Sequence, residues 1–351
     1  MIKLSVLIPT FNRRDRLKNS LSNYTEEKIN SVEFLVIDNC SNDGTEDLVQ
    51  LMIKEDNRIK YFKNPQNLGY NRNLFRGYLE ANSNWICILP DDDAIEKGFL
   101  SELVEFINNN PKSSLILPAQ KNEDNHIKNL FFTKTTKLDG KEAFKLAFKA
   151  SGAVTGFTFN KLSLDQKQWN LDNSIYPQIR IALNLALEND VTYFKPQHCP
   201  IIRFNDDIMT MTNDAMNRPK DFGVFERIKT LNDVSKRINS EKLKTLFELE
   251  IGLYFWATNL ALQMSERNEN YSKAYIKHLF TNKILKKSAI FIAISFVNLV
   301  LKKGKKDLNY ILLAQTLKAL PSALFSLNFY YGVFFLLTNL KKHYESFRKN
   351  I

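Results

Sequence analysis

The sequence predicts an α/β protein, with a mainly parallel sheet flanked by helices over residues 1–220 and an all-helical region over 221–351. Three observations predict it. Short apolar runs alternate with helix-patterned stretches through the first 110 residues. Four of those runs end abruptly in polar clusters, as strands do where an open sheet meets its ligand. From about residue 221 onward the pattern turns helical, without strong strand signals.

The strands of the first half are predicted at residues 4–8, 33–37, 59–62 and 85–89, with helices near 14–28, 43–56 and 69–82. Pro9-Thr10-Phe11-Asn12 follows the first strand, and the run from Asp38 to Asp43 follows the second. Asn64-Pro65-Gln66-Asn67-Leu68-Gly69 follows the third, and the triplet Asp91-Asp92-Asp93 the fourth. Residues 111–220 are mixed, with strands at 114–117, 156–160 and 191–194 and a helix at 177–188. The expected organisation is therefore an α/β domain over 1–220, split near residue 110 into two halves, and a helical region over 221–351.

The aspartate triplet carries the sharpest chemistry. Adjacent carboxylates raise one another's pKa unless a cation or donor groups relieve them. A hard divalent ion, Mg²⁺ or Mn²⁺, held by one or two carboxylates plus substrate phosphates, is one resolution. A solvated turn with Asp92 or Asp93 capping the next helix is the other. The turn after the first strand, Pro9 to Arg16, contains no glycine, and no phosphate-loop lysine motif is present. A nucleotide bound here is therefore not gripped by a glycine loop, and a metal at the triplet would neutralise its diphosphate.

The segments SVLIPTFNR, FLVIDNCSNDGT, NPQNLGYNRN and ILPDDD, in this order, resemble the inverting family 2 glycosyltransferases of GT-A fold. The resemblance is strong over residues 3–100 and weaker to about 205. It implies a nucleotide-sugar pocket lined by Pro9, Thr10, Asn12, Asn67 and Gly69, with Asp38 on the base. Arg72 would contact base or phosphates, Asp91 the ribose, Asp92 the nucleotide-sugar, and Asp93 the Mn²⁺ or Mg²⁺ bridging the diphosphate. The stretch SGAVTGFTFNK, then Trp169, then NSIYPQIRIALNLAL, resembles bacterial transferases that build O-antigen or capsule, including an abequosyltransferase-like subgroup.

Many members of that family carry a Glu-Asp pair at the start of this helix, whose Asp takes the proton of the acceptor hydroxyl. This chain has Tyr176-Pro177-Gln178-Ile179 there, and glutamine is no base. Asp172 is the replacement candidate, with Asp165 behind it. His198 is read either as a third metal ligand or as a structural histidine, and Arg203 as a phosphate contact.

Charge divides the chain unevenly. Residues 273–351 hold 14 Lys or Arg against Asp307 and Glu345, a local charge of +12 that leaves −1 for the first 272 residues. Two uncharged runs, 288–301 and 319–340, lie in the same stretch, bordered by lysines. The first is amphipathic, with Ser288, Ser295, Asn298 and Lys302 on one helical face. The second is long enough to span a bilayer, but Pro321, Gly332 and its asparagines make it a poor span. The expectation is helices lying on an anionic membrane surface, with an oligomer interface as the alternative and nucleic acid excluded by the long apolar runs.

Three scattered cysteines and an N-terminus running straight into a strand predict a cytoplasmic protein, peripheral on the inner face of the cell membrane. The expected partners are a nucleoside-diphosphate sugar and a lipid-linked saccharide acceptor. A sugar-1-phosphate nucleotidyltransferase and a non-catalytic nucleotide-sugar-binding scaffold are the rival readings.

Overall fold

The computed structural model describes residues 2–128, 131–166, 169, 176–203 and 233–234. The chain divides into two units, Met1–Thr230 and Leu231–Ile351, and every element named below belongs to the first. The basic stretch 273–351, with both uncharged runs, lies outside the described residues, as does Asp172.

The large sheet has eight strands. Its first half is β1 (Leu4–Thr10), β2 (Val32–Asp38), β3 (Ile59–Lys63) and β4 (Trp85–Ile88). β1 pairs in parallel with β2 and β4, and β2 in parallel with β3. β1 and β2 are buried along their whole length, as expected of strands covered on both faces. Three helices alternate with these strands: α1 (Arg14–Tyr24), α2 (Thr45–Glu55) and α3 (Tyr70–Glu80). Leu17, Leu21 and Tyr24 of α1 recur at helical spacing and pack into a core with Val6, Ile8, Phe34, Val36, Cys87 and Leu89.

α1 stops four residues short of the predicted end. Thr25 turns its hydroxyl and its N–H back onto the Leu21 carbonyl, and Glu27 is recruited elsewhere. Its carboxylate accepts from the Gly98, Leu100 and Ser101 N–H groups and the Ser101 hydroxyl. It thereby caps α4 (Phe99–Asn109), a helix the sequence pattern did not reveal.

Between β4 and α4 lies a short strand, β5 (Ala94–Ile95), so the aspartates do not cap the next helix as one reading had it. The second half adds β6 (Leu115–Pro118), β7 (Gln120–Asn122), β8 (Ile127–Lys128), β9 (Thr136–Leu138), α5 (Gly140–Ala150) and β10 (Phe157–Asn160). It closes with α6 (Pro177–Glu188), β11 (Val191–Phe194) and β12 (Pro200–Ile202).

The large sheet runs β3-β2-β1-β4-β10-β6-β11-β9, with β10 and β9 antiparallel to their neighbours. A second sheet, β5-β12-β7-β8, takes the chain directly after the triplet. Residues 89–93 thus leave one sheet and enter another.

Candidate functional site

Register brings the polar ends of the strands to one level. Thr10 lies opposite Asp38 and Asp38 opposite Lys63, so β1, β2 and β3 end flush. Leu7 lies opposite Ile88. Three residues further along each chain, the Thr10 hydroxyl donates to Asp91 Oδ2 at 2.7 Å. The carboxyl edge of the sheet therefore gathers Thr10, Asp38 and the triplet, as the polar clusters predicted.

α1 holds the triplet loop by its backbone. Ser20 donates to the Asp93 carbonyl, Tyr24 to the Pro90 carbonyl, and Asn23 exchanges two hydrogen bonds with Ile95. Just before α1, Arg13 sends Nη1 to Asp91 Oδ1 at 3.0 Å and to Asp92 Oδ2 at 2.9 Å. A guanidinium is always charged and suits paired carboxylates, so Arg13 relieves repulsion between its two partners.

The relief is partial. Burial pushes the Asp91 carboxyl up to about 6, with Arg13 opposing the shift and Asp92 adding to it. Burial pushes Asp93 up to about 7, against hydrogen bonds from Thr155 and the Arg203 backbone. Burial and the fields of the three aspartates also raise the hydroxyls of Tyr24 and Tyr70.

Asp93, the expected metal ligand, has both oxygens engaged: Oδ1 accepts from the Arg203 N–H at 2.8 Å and Oδ2 from the Thr155 hydroxyl. Asp92 has the more open side chain. It lines a cavity of about 340 Å³ with Arg16, Asn19, Ser20, Glu123 and Arg203.

His198 does not join the triplet. Its Nδ1 lies 2.5 Å from Glu102 Oε1, and its ring covers Gly98, where an added Cβ would come within 2.5 Å of it. Four residues, 199–202, separate it from Arg203, which does reach Asp93. Glu102, in the first turn of α4, holds the imidazole. Among the described residues, no three His, Cys, Asp or Glu side chains form a group that could hold a metal ion.

Asp38 is fully buried. Oδ1 accepts from the Ser41 N–H at 2.8 Å and Oδ2 from the Tyr61 hydroxyl at 2.5 Å. The chain reverses sharply after each of the first two strands, with Asn12 and Cys40 in the left-handed region. The two loops are stitched together: Asn12 N–H donates to Ser41 Oγ, and Asn42 N–H to Asn12 Oδ1.

The third loop hangs on four carboxamides. Asn64 donates to Asn39 and Asn73, Asn39 donates to Asn67, and Asn67 Oδ1 also accepts from the Gly69 N–H. Gly69 has φ of 79° in open space, so its backbone angle rather than crowding calls for glycine. Arg72 follows, exposed on the first turn of α3, and Pro9 sits within β1.

Sequence reasoning missed several residues here. Phe11 is 41% exposed between Thr10 and Asn12, an aromatic face at the rim of the edge. Arg13 was one of three arginines in a row of polar residues, with nothing to single it out. Thr155 and Tyr61 come from elements that carried no polar signal. Asp165 lies on the exposed surface. Trp169 is buried, donates from Nε1 to Asn71 at 2.8 Å, and packs among Phe75, Tyr78 and Phe159.

Comparison with known proteins gives this edge a lineage. The family model described as Glycosyl transferase family 2 matches residues 5–169. The chain is 39% identical over 110 residues to the GalNAc(5)-diNAcBac-PP-undecaprenol beta-1,3-glucosyltransferase of Campylobacter jejuni, covering 31% of this chain and 35% of that one. It is 36% identical over 110 residues to Abequosyltransferase RfbV of Salmonella typhimurium, covering 30% and 32%. These matches span about a third of each relative's length.

Among solved structures, S. aureus TarS 1-349 in complex with UDP-GlcNAc superposes with a TM-score of 0.62 at 13% identity, over 84% of this chain and 86% of that one. At that identity the likeness speaks for the fold, which is the GT-A arrangement that the motifs implied. The chain carries a family 2 glycosyl transferase domain over residues 5–169.

Proposed function

We propose that this protein transfers a sugar, with inversion, from a nucleoside-diphosphate sugar to a saccharide acceptor in bacterial surface polysaccharide synthesis. The observation that carries the reading is the convergence of Thr10, Arg13, Asp38 and the aspartate triplet on one sheet edge. The nucleoside would lie over the loops after β1 and β2, with Phe11 offering its face to the base and Asp38 fixing the loop beneath it. The diphosphate would lie toward the triplet, within reach of Arg13 and of Arg16 in the adjoining cavity.

The oxygen donors of the triplet fit Mg²⁺ or Mn²⁺, which take one or two carboxylates and complete their shells with phosphate and water. Asp92 has the exposure to do so, and Asp91 and Asp93 stand beside it. Such an ion, when bound, would offset charge on the departing diphosphate. The chain's own residues do the remaining work. Thr10 and Arg13 orient Asp91, α1 fixes the loop backbone, and the Arg13 guanidinium released from Asp92 meets a phosphate oxygen. The acceptor hydroxyl attacks the anomeric carbon opposite the leaving group, and a carboxylate, for which Asp172 is the candidate, takes its proton.

The name of the C. jejuni relative specifies a PP-undecaprenol acceptor. Together with the +12 charge and two uncharged runs of residues 273–351, it supports a lipid-linked acceptor met at an anionic membrane surface on the cytoplasmic side. Among the described residues no helix is long and apolar enough to cross a membrane.

Thermal shift with UDP, GDP, CDP and dTDP, each with and without Mn²⁺, tests the donor half. One nucleotide should raise the melting temperature in a Mn²⁺-dependent way, and a flat panel would sink the reading. Sedimentation with anionic vesicles, weakened but not abolished by salt, tests the membrane half; no binding at low salt would refute it.

A further inference from the structure

The sheet's carboxyl edge continues past the triplet into a second polar feature. β10 runs antiparallel to β4 and starts opposite its end, with Phe157 facing Ile88. α5, which leads into β10, therefore runs toward the carboxyl edge and ends there at Ser151. The connection is fastened to the site, because Gly156 N–H donates to the Ile88 carbonyl and Thr155 to Asp93.

α6 runs the other way. It precedes β11, which is parallel to β6, by only Asn189 and Asp190. Its C-terminal end therefore lies at the amino edge and its first turn at the carboxyl edge. α5 and α6 pack against one another, so the end of one helix and the beginning of the other meet on the side of the sheet that holds the aspartates.

Both helix ends bury a polar atom without satisfying it. Ser151 is 0% exposed and Gln178, in the first turn of α6, is 3% exposed. Among the described residues, Ser151 Oγ and Gln178 Oε1 have no hydrogen-bond partner. Leaving such an atom unmatched costs about 1–3 kcal/mol, and folded proteins retain few of them. The first turn of α6 adds the positive end of a helix dipole.

A hydroxyl matches this pair: it donates to the carboxamide oxygen and can accept from, or donate to, the serine. Carboxylates and phosphates supply no donor for Gln178 Oε1. We propose that Ser151 and Gln178 line the acceptor subsite and that Gln178 Oε1 accepts a hydrogen bond from a hydroxyl of the acceptor saccharide. Gln178 is then a binding residue that orients the sugar, not the group that takes its proton. This inference rests on the glycosyl-transfer reading above and names the part of the site that reading leaves open.

The test uses the full chain with UDP, GDP, CDP or dTDP present, and as probes the methyl glycosides of glucose, galactose, N-acetylglucosamine and N-acetylgalactosamine. Saturation-transfer NMR should show at least one glycoside bound to wild type. Gln178→Met should weaken that binding about tenfold, the scale of one hydrogen bond lost to a desolvated site. It should leave nucleotide affinity unchanged and the melting temperature equal or higher, since a shape-matched apolar group removes the unsatisfied oxygen.

A melting temperature lowered by several degrees would mean that Gln178 is a structural hydrogen-bonding residue and would overturn the proposal. So would equal glycoside binding by the variant, or no glycoside bound by wild type. If wild type binds a nucleotide while any of these holds, the acceptor inference alone fails. If it binds no nucleotide, the glycosyl-transfer reading fails with it.

Discussion

The two edges of the same sheet treat buried carboxylates in opposite ways. At the amino edge, Asp56 accepts from Arg58 Nε, Nη2 and N–H and pairs with Lys28, and its pKa is driven well below the ordinary value by the Arg58 bonds. Glu33 there binds the Ser5 hydroxyl and both the backbone and side chain of Asn82. At the carboxyl edge, Arg13 is shared between two aspartates, and Asp91 and Asp93 are pushed up to about 6 and 7. One edge has donors enough to hold the fold together; the other is left short of positive charge. A fold that satisfies carboxylates so fully at one end and does not at the other fits the ligand site proposed there.

The widest separation of the two edges should come from replacing their carboxylates. Asp92→Asn and Asp93→Asn should each lower transfer by ~10²–10³-fold while the melting temperature stays within a few degrees of wild type or rises. Initial rates beside calorimetry check this, and undiminished transfer by both variants would remove the triplet from the chemistry.

Arg58→Ala should do the reverse. Breaking a largely buried ion pair costs about 3 kcal/mol, so chemical denaturation should show a large loss of stability, with transfer per folded molecule unchanged. A comparable loss of turnover would mean that the edges are not independent.

The pH dependence sharpens the contrast further, and its sign is opposite at the two ends. Asp91 and Asp93 hold a proton up to about 6 and 7 in the folded chain, but release it near 3.8 when unfolded. Between those values the folded state binds more protons, so stability without ligand should fall as pH rises from about 4 to 7. Asp56 is depressed, so its contribution is present above 3.8 and is lost only in stronger acid. Denaturation midpoints of wild type and the Asp91→Asn, Asp93→Asn double variant, measured from pH 4 to 8, should diverge at the high end, with the variant flatter. Parallel curves would contradict the raised pKa values.

The smallest effect is expected from Arg13→Lys. Lysine keeps the charge but loses the planar fork that spans Asp91 and Asp92. Nucleotide affinity should drop several-fold with stability unchanged, and identical titrations would reduce Arg13 to a generic counter-charge.

Much of this edge was legible because parallel strands make it so. Apolar runs such as 4–8 and 33–37 have to be interior, and polar residues directly after them have to surface together. Legibility ended where partners came from afar. Nothing near Asp93 announced that the Arg203 backbone, 110 residues later, would occupy one of its oxygens. Nothing distinguished Arg13, which bridges the triplet, from Arg14, which pairs with Asp15.

Residue type left His198 open between metal ligand and structural histidine, because it says nothing about which carboxylate lies closest, and Glu102 does. Strands of two or three residues, such as β5 and β12, are too short to show a period. They owe their existence to each other: Pro200 lies opposite Ile95 and Ile201 opposite Ala94.

That pairing gives residues 89–93 a mechanical character. The chain is gripped on one side by the β1–β4 ladder and on the other by the β5–β12 ladder, with the aspartates suspended between. Any sliding of the small sheet against the large one loads that short span, together with the links from β6 to β7 and from β11 to β12. The spacing between carboxylates is therefore a strain gauge for the two sheets. A load placed on β12, which pairs directly with β5, would reach the stretch where three negative charges stand side by side.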